Sequence, residues 1–131
     1  MLSNLNLIER QIFATYCFSE YCSFKDIKHP EIENLISHLV SIKDFRNNLL
    51  DWEQKGGLLN LAGRGDEIPP DIRKMISNID LKNFGKLLEC CVEVGLVNMY
   101  GAETNQSFHF LNDCIRILEN EKIPVPYSKI L

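Results

Sequence analysis

Apolar residues along most of this chain recur three and four positions apart, the spacing that gathers side chains on one face of an α-helix. The most continuous stripe is Ile32, Leu35, Ile36, Leu39 and Val40. It follows His29-Pro30. Pro30 suits the first helical position, where a missing N–H costs nothing, and Glu31 and Glu33 suit the positive end of the helix dipole. An earlier helix is predicted from Asn6, because Asn6-Leu7-Ile8-Glu9 has the form of a capping box. Ile8, Ile12, Phe13, Tyr16 and Cys17 continue it at helical spacing. A turn is expected over residues 23–28. After Lys43, Asp44 is expected to cap a third helix that carries Phe45, Leu49 and Trp52 and stops at Lys55-Gly56-Gly57.

From Gly56 to Pro69 the pattern breaks into glycines and prolines. Within that region Leu58-Leu59-Asn60-Leu61-Ala62 is too apolar to stand in water and is expected to pack as a short helix or extended piece. Pro69-Pro70 opens a brief helix with Ile72, Met75 and Ile76 on one face. Asp80 is expected to cap the fifth, which carries Leu81, Phe84, Leu87, Leu88, Cys91 and Val92 and ends near Gly95. Residues 96–100 are β-compatible but have no second strand to pair with, and an isolated strand is unstable. They therefore read as a helix extension or extended connector. A sixth helix is predicted from about Thr104 to Asn120, with Phe108, Leu111, Cys114, Ile115 and Leu118 inward. Pro124 and Pro126 stop it, leaving residues 123–131 as an extended tail. The expected fold is all-α, one domain over residues 1–131, an irregular bundle of five to seven helices.

Composition narrows the class. The chain has 131 residues, 45% hydrophobic and 24% charged, enough apolar material for one core. Disorder throughout is excluded by that hydrophobicity. No run approaches the roughly 18 to 20 apolar residues of a membrane span, and the N-terminus lacks the basic region of a signal peptide. A net charge of -4 and a pI near 5.3 give no background attraction to phosphate, which argues against general nucleic-acid binding. The five cysteines, Cys17, Cys22, Cys90, Cys91 and Cys114, are an odd count with no zinc or redox spacing. They read as reduced, mostly buried thiols in a cytoplasmic protein.

Candidate chemistry is sparse. His29 sits at a helix start, His38 flanks the apolar stripe of the second helix, and His109 lies on the sixth. A hydrogen-bonded, partly buried role is the expectation for His38, since no local signature supports a Cys/His nucleophile pair. Glu31 and Glu33, like Asp51 and Glu53, are two apart and diverge on a helix. Gly63-Arg64-Gly65-Asp66 lacks the ending and the preceding strand of a phosphate loop and reads as turn chemistry. No catalytic residue, metal site or cofactor is expected, and an enzyme ranks third among the readings. One charge grouping stands out. Asp44, Asp51, Glu53, Asp66 and Glu67 all fall on or beside the third helix and its exit loop, and such a group can present an acidic surface to a basic partner.

Several sequence words carry a resemblance. His29-Pro30-Glu31-Ile32, Leu35-Ile36-Ser37-His38-Leu39, Asp51-Trp52-Glu53 and Gly63-Arg64-Gly65-Asp66-Glu67-Ile68-Pro69 resemble small helical immunity proteins of bacterial polymorphic toxin systems. The likeness is to the contact-dependent growth inhibition type, whose cognate toxin is an EndoU-like ribonuclease. It spans roughly residues 5 to 120 in layout. It implies a soluble monomer that binds its protein toxin 1:1, touching neither nucleic acid nor membrane directly. The interface residues it suggests are Asp44, Asp51, Glu53, Asp66 and Glu67, with Arg64 as a specific anchor. Trp52 is either an interface hot spot or, as its phase with Phe45 and Leu49 favours, a core residue. The alternative is a helical regulatory or adaptor domain that binds a protein or peptide in a groove between helices.

Overall fold

The computed structural model of the protein describes residues 2–97 and 105–130. Among these residues there are six α-helices, α1 (Leu7–Phe24), α2 (Pro30–Val40), α3 (Leu49–Gly56), α4 (Pro70–Met75), α5 (Asn78–Leu96) and α6 (Gln106–Asn120), and the first five are joined by turns and short 3-10 segments. No strand occurs among the described residues, and the fold is an all-α bundle.

α1 begins as its sequence demands. The Asn6 side chain accepts from the Glu9 N–H at 2.8 Å, and the Glu9 carboxylate accepts from the Asn6 N–H at 2.9 Å. Its inward face, Phe13, Ala14, Cys17, Phe18 and Tyr21, is fully buried and packs on α5, α6 and α2. A second, polar device fixes α1 against α5. The buried Gln11 amide donates to Cys91 C=O at 3.0 Å and accepts from Gly95 N–H at 2.8 Å. These two backbone groups are i and i+4 partners within α5, so one side-chain amide grips a single helical rung. A methyl group on Gly95 would lie 2.7 Å from both Gln11 Oε1 and the Trp52 ring. A third tie joins the helix ends. Lys25 Nζ lies 3.1 Å from Asp80 and 2.6 Å from Glu121, while Asn83 donates to Glu121 at 2.9 Å.

All five cysteines are free and buried. Burial pushes Cys17 and Cys22 up to about 12 and raises Cys91 and Cys114 as well. They are protonated core residues rather than nucleophiles.

Several local expectations are corrected. Asp44 does not cap the third helix. Residues Ser41–Phe45 continue α2 as a 3-10 segment, and Asn48 caps α3, its side chain accepting from Asp51 N–H at 3.3 Å. Asp80 does not cap α5 either. Ser77 does, at 3.2 Å, which frees the Asp80 carboxylate to meet Lys25. Met75 is 44% exposed, so α4 itself buries Ile72 alone, and the residue that caps its end, Ile76, is buried beside it. α1 runs to Phe24, shortening the following turn. Phe108 is only half-buried, while Ser107 beside it is buried and accepts from Arg10 at 2.8 Å. The tail is not wholly extended, because Tyr127–Ile130 forms a 3-10 turn. Of the β-compatible run, Leu96 ends α5 and Val97 continues in 3-10 geometry. Its remainder, residues 98–100, and the expected sixth-helix start at Thr104 lie outside the described residues.

Candidate functional site

Arg64 anchors the turn-rich segment between α3 and α4 to α3. Gly63 and Gly65, on either side of Arg64, adopt φ +72° and +89°, conformations open to glycine and strained for other residues. A side chain on Gly63 would also strike Val92 at 2.7 Å, so the loop backbone lies directly on α5. Arg64 turns inward. Its Nη1 donates to the Glu53 carboxylate at 2.9 Å and its Nη2 to the Glu53 backbone carbonyl at 2.7 Å. Gly56 makes this approach possible, since a methyl there would lie 2.6 Å from His38 Nε2 and 2.7 Å from Arg64 Nη2.

Trp52 lies beneath this clamp and is 1% exposed. Its Nε1–H donates to the His38 carbonyl at 2.9 Å, and its ring stacks on the His38 imidazole with centroids 5.2 Å apart and planes within 7°. Trp52 is therefore a core residue, and the hot-spot reading falls. Burial, with the nearby positive charges of Arg64 and Lys55, holds the His38 imidazole below its ordinary value. His29 caps α2, its Nδ1 accepting from Glu31 N–H at 3.1 Å, while its Nε2 lies 2.8 Å from Asp71. His109 is exposed on α6.

The acidic candidates separate into two groups. Glu53 and Arg64 are brought together and engage each other, both largely buried. Arg64 thus positions the loop rather than projecting from it. Asp51 pairs with Lys55 one turn along α3, at 3.4 Å. Asp44, Asp66 and Glu67 are exposed, and no ion pair among the described residues includes them. Beyond Gly65 the chain therefore presents two free carboxylates from a loop whose root is clamped.

The structure adds acids that the linear reading did not gather. Glu89 and Glu93 of α5 and Asp113 of α6 line a groove of about 470 Å³ beside Gly63–Gly65, with Lys86 and Phe110. Burial raises the Glu93 carboxyl above its ordinary range even though Arg64 opposes the shift. Asp113 is held by Arg116 at 2.8 Å. The i,i+4 spacing of Glu89 and Glu93 signals that they share a helix face, but the sequence carries no signal that the Gly63–Gly65 loop lies against it.

Among the described residues no three His, Cys, Asp or Glu side chains gather as a metal site, and no helix is long and apolar enough to cross a membrane. Comparison with protein-family models, curated proteins and solved structures finds no significant match to this chain. The fold and the geometry therefore define the candidate site by themselves: an all-α bundle with a clamped loop that carries free carboxylates.

Proposed function

We propose that this chain is an immunity protein that binds a cognate bacterial toxin, a ribonuclease of the EndoU-like kind, and covers its basic active-site cleft. The observation that carries the reading is the pairing of a rigid loop root with free charge. The Arg64–Glu53 clamp fixes the loop, and Asp66 and Glu67 extend from it unpaired. A nuclease cleft that holds phosphate is lined with cations. Preorganised carboxylates meet such a cleft without first losing loop entropy and accelerate encounter through long-range attraction. The resemblance between residues 29 and 69 and toxin-immunity proteins points the same way. The interface would bury about 1,600 Å² in total, a standard size for a specific heterodimer. Asp44, Asp66 and Glu67 supply its free acidic contacts, Asp51 contributes through its exposed pair with Lys55, and Glu53 and Arg64 hold the shape. The protein would act in the cytoplasm as a 1:1 inhibitor, with no cofactor and no chemistry of its own.

A test is co-expression with the toxin gene immediately upstream. Growth is expected to be restored by this chain and not by one lacking the loop carboxylates. Failure of the intact chain to protect removes the reading. The groove beside Gly63–Gly65, lined in part by Phe110, is the feature that favours the second reading, an adaptor that takes up a peptide from a partner protein. That reading expects peptide capture without any protection.

A further inference from the structure

Trp52 is the aromatic anchor that the sequence offers on α3, and it is buried. The apolar side chains that α3 and its exit turn do expose are leucines. Leu50 is 60% exposed and Leu58 84%. With Gln54 between them they recur every four residues along α3 and the turn that prolongs it, where Leu58 N–H donates to Lys55 C=O at 3.2 Å. A single exposed leucine is ordinary, but Leu58, the last of this row, also lines a groove. A groove of about 180 Å³ runs between the first turn of α2 and residues 58–61. Glu31 is the one ionisable side chain in its lining. Asn60 donates to Glu31 Oε1 at 2.9 Å, whereas Glu31 Oε2 is shielded from solvent and accepts no hydrogen bond.

We infer that Leu50, Gln54 and Leu58, together with the Glu31 groove, form a docking face for a basic protein surface, one of whose lysine or arginine side chains enters the groove and pairs with the Glu31 carboxylate. Charge complementarity selects this occupant, because the groove lining holds one negative group and no positive one. A lysine or arginine also carries an apolar stem, which fits a groove edged by Leu58 and Leu59. The leucines take the place at the interface that Trp52 cannot occupy, with apolar anchors set among polar groups as stable interfaces require. The inference rests on the reading of the chain as a toxin inhibitor and names where that partner seats.

Isothermal titration of the toxin domain encoded directly upstream into the full purified chain tests it. L58D is expected to weaken binding by about tenfold or more. E31Q, which keeps the shape and the bond to Asn60, is expected to weaken it by about threefold or more. I79D changes a side chain 90% exposed on α5 and is expected to leave affinity within about twofold of the unaltered chain. If L58D and E31Q bind as the unaltered chain does, this docking face is refuted while the inhibitor reading stands. If I79D alone loses affinity, the interface lies elsewhere and the docking face is again refuted. If the unaltered chain fails to bind the toxin domain, both the inhibitor reading and the docking face fall.

Discussion

Arg64 holds Glu53 twice, through its carboxylate at 2.9 Å and its backbone carbonyl at 2.7 Å. This double grip turns a glycine-rich segment into a fixed projection from α3. Both side chains are more than two-thirds buried, so the charge-assisted bonds are only partly screened. Replacing Arg64 with methionine is expected to cost about 1.5 to 3 kcal/mol in chemical denaturation, the range for hydrogen bonds to charged groups. Hydrogen exchange should rise in residues 57–69 while α1, α5 and α6 stay protected. Uniform loss of protection across the bundle would instead assign Arg64 a global role.

A tighter constraint sits deeper in the core. Gly95→Ala places a methyl 2.7 Å from both Gln11 Oε1 and the Trp52 ring. Overpacking of this kind typically costs about 1 to 3 kcal/mol. Thermal melting should show the loss, and a Gln11→Ala background should relieve part of it by removing one of the two clashes. A Gly95→Ala chain as stable as the original would show that Trp52 and Gln11 move apart without strain.

Acid should destabilise the fold in two separate windows. The His38 imidazole is held below its ordinary 6.5 by burial and by Arg64 and Lys55, so the unfolded chain takes up a proton there before the folded one does. Its contribution is complete above pH 6.5 and declines as pH falls below that value toward the folded value. Asp80 behaves as a depressed carboxylate held chiefly by its bond to Lys25. Its contribution is present above 3.8 and is lost as pH falls further. Stability measured across pH 7 to 3 should show both declines, and His38→Phe should flatten the upper one alone. An unchanged upper decline in that variant would place the responsible group elsewhere.

Thiol labelling provides an independent check on the core. All five cysteines are buried and free, and burial raises Cys17 and Cys22 to about 12. At neutral pH the native chain should react with a thiol reagent orders of magnitude more slowly than the denatured chain, which should yield all five. Rapid labelling of native Cys17, Cys22, Cys91 or Cys114 would mean that α1, α5 or α6 opens locally, whereas Cys90 lines the groove beside Gly63–Gly65.

Most of the fold was legible because it rests on local rules. The capping box at Asn6, Pro30 at the first turn and the stripe from Ile32 to Leu39 each state their element within one or two turns of sequence. Errors arose where two neighbouring polar residues compete for one cap. Asp44 and Asn48, and likewise Ser77 and Asp80, offer equivalent oxygens, and the winner depends on where the preceding helix stops. The Asp80 carboxylate turned out to serve Lys25, a partner 55 positions away. The site was legible only in part. The exposed loop acids and their closeness to α3 follow from the sequence, but the inward turn of Arg64 depends on Gly56 lying beside His38. The Gln11 bridge to α5 and the seating of Gly63 on Val92 involve residues 29 or more positions apart, for which no local pattern exists.

The central claim is inhibition by direct occupation of a basic cleft. Its most direct measurement takes the toxin domain that the proposal expects to be encoded directly upstream and titrates its ribonuclease activity with this chain at several salt concentrations. Activity should fall to the background at one equivalent, and Asp66→Lys with Glu67→Lys should weaken inhibition by about tenfold or more while flattening its salt dependence. Full activity in the presence of a large molar excess of the chain would contradict the account.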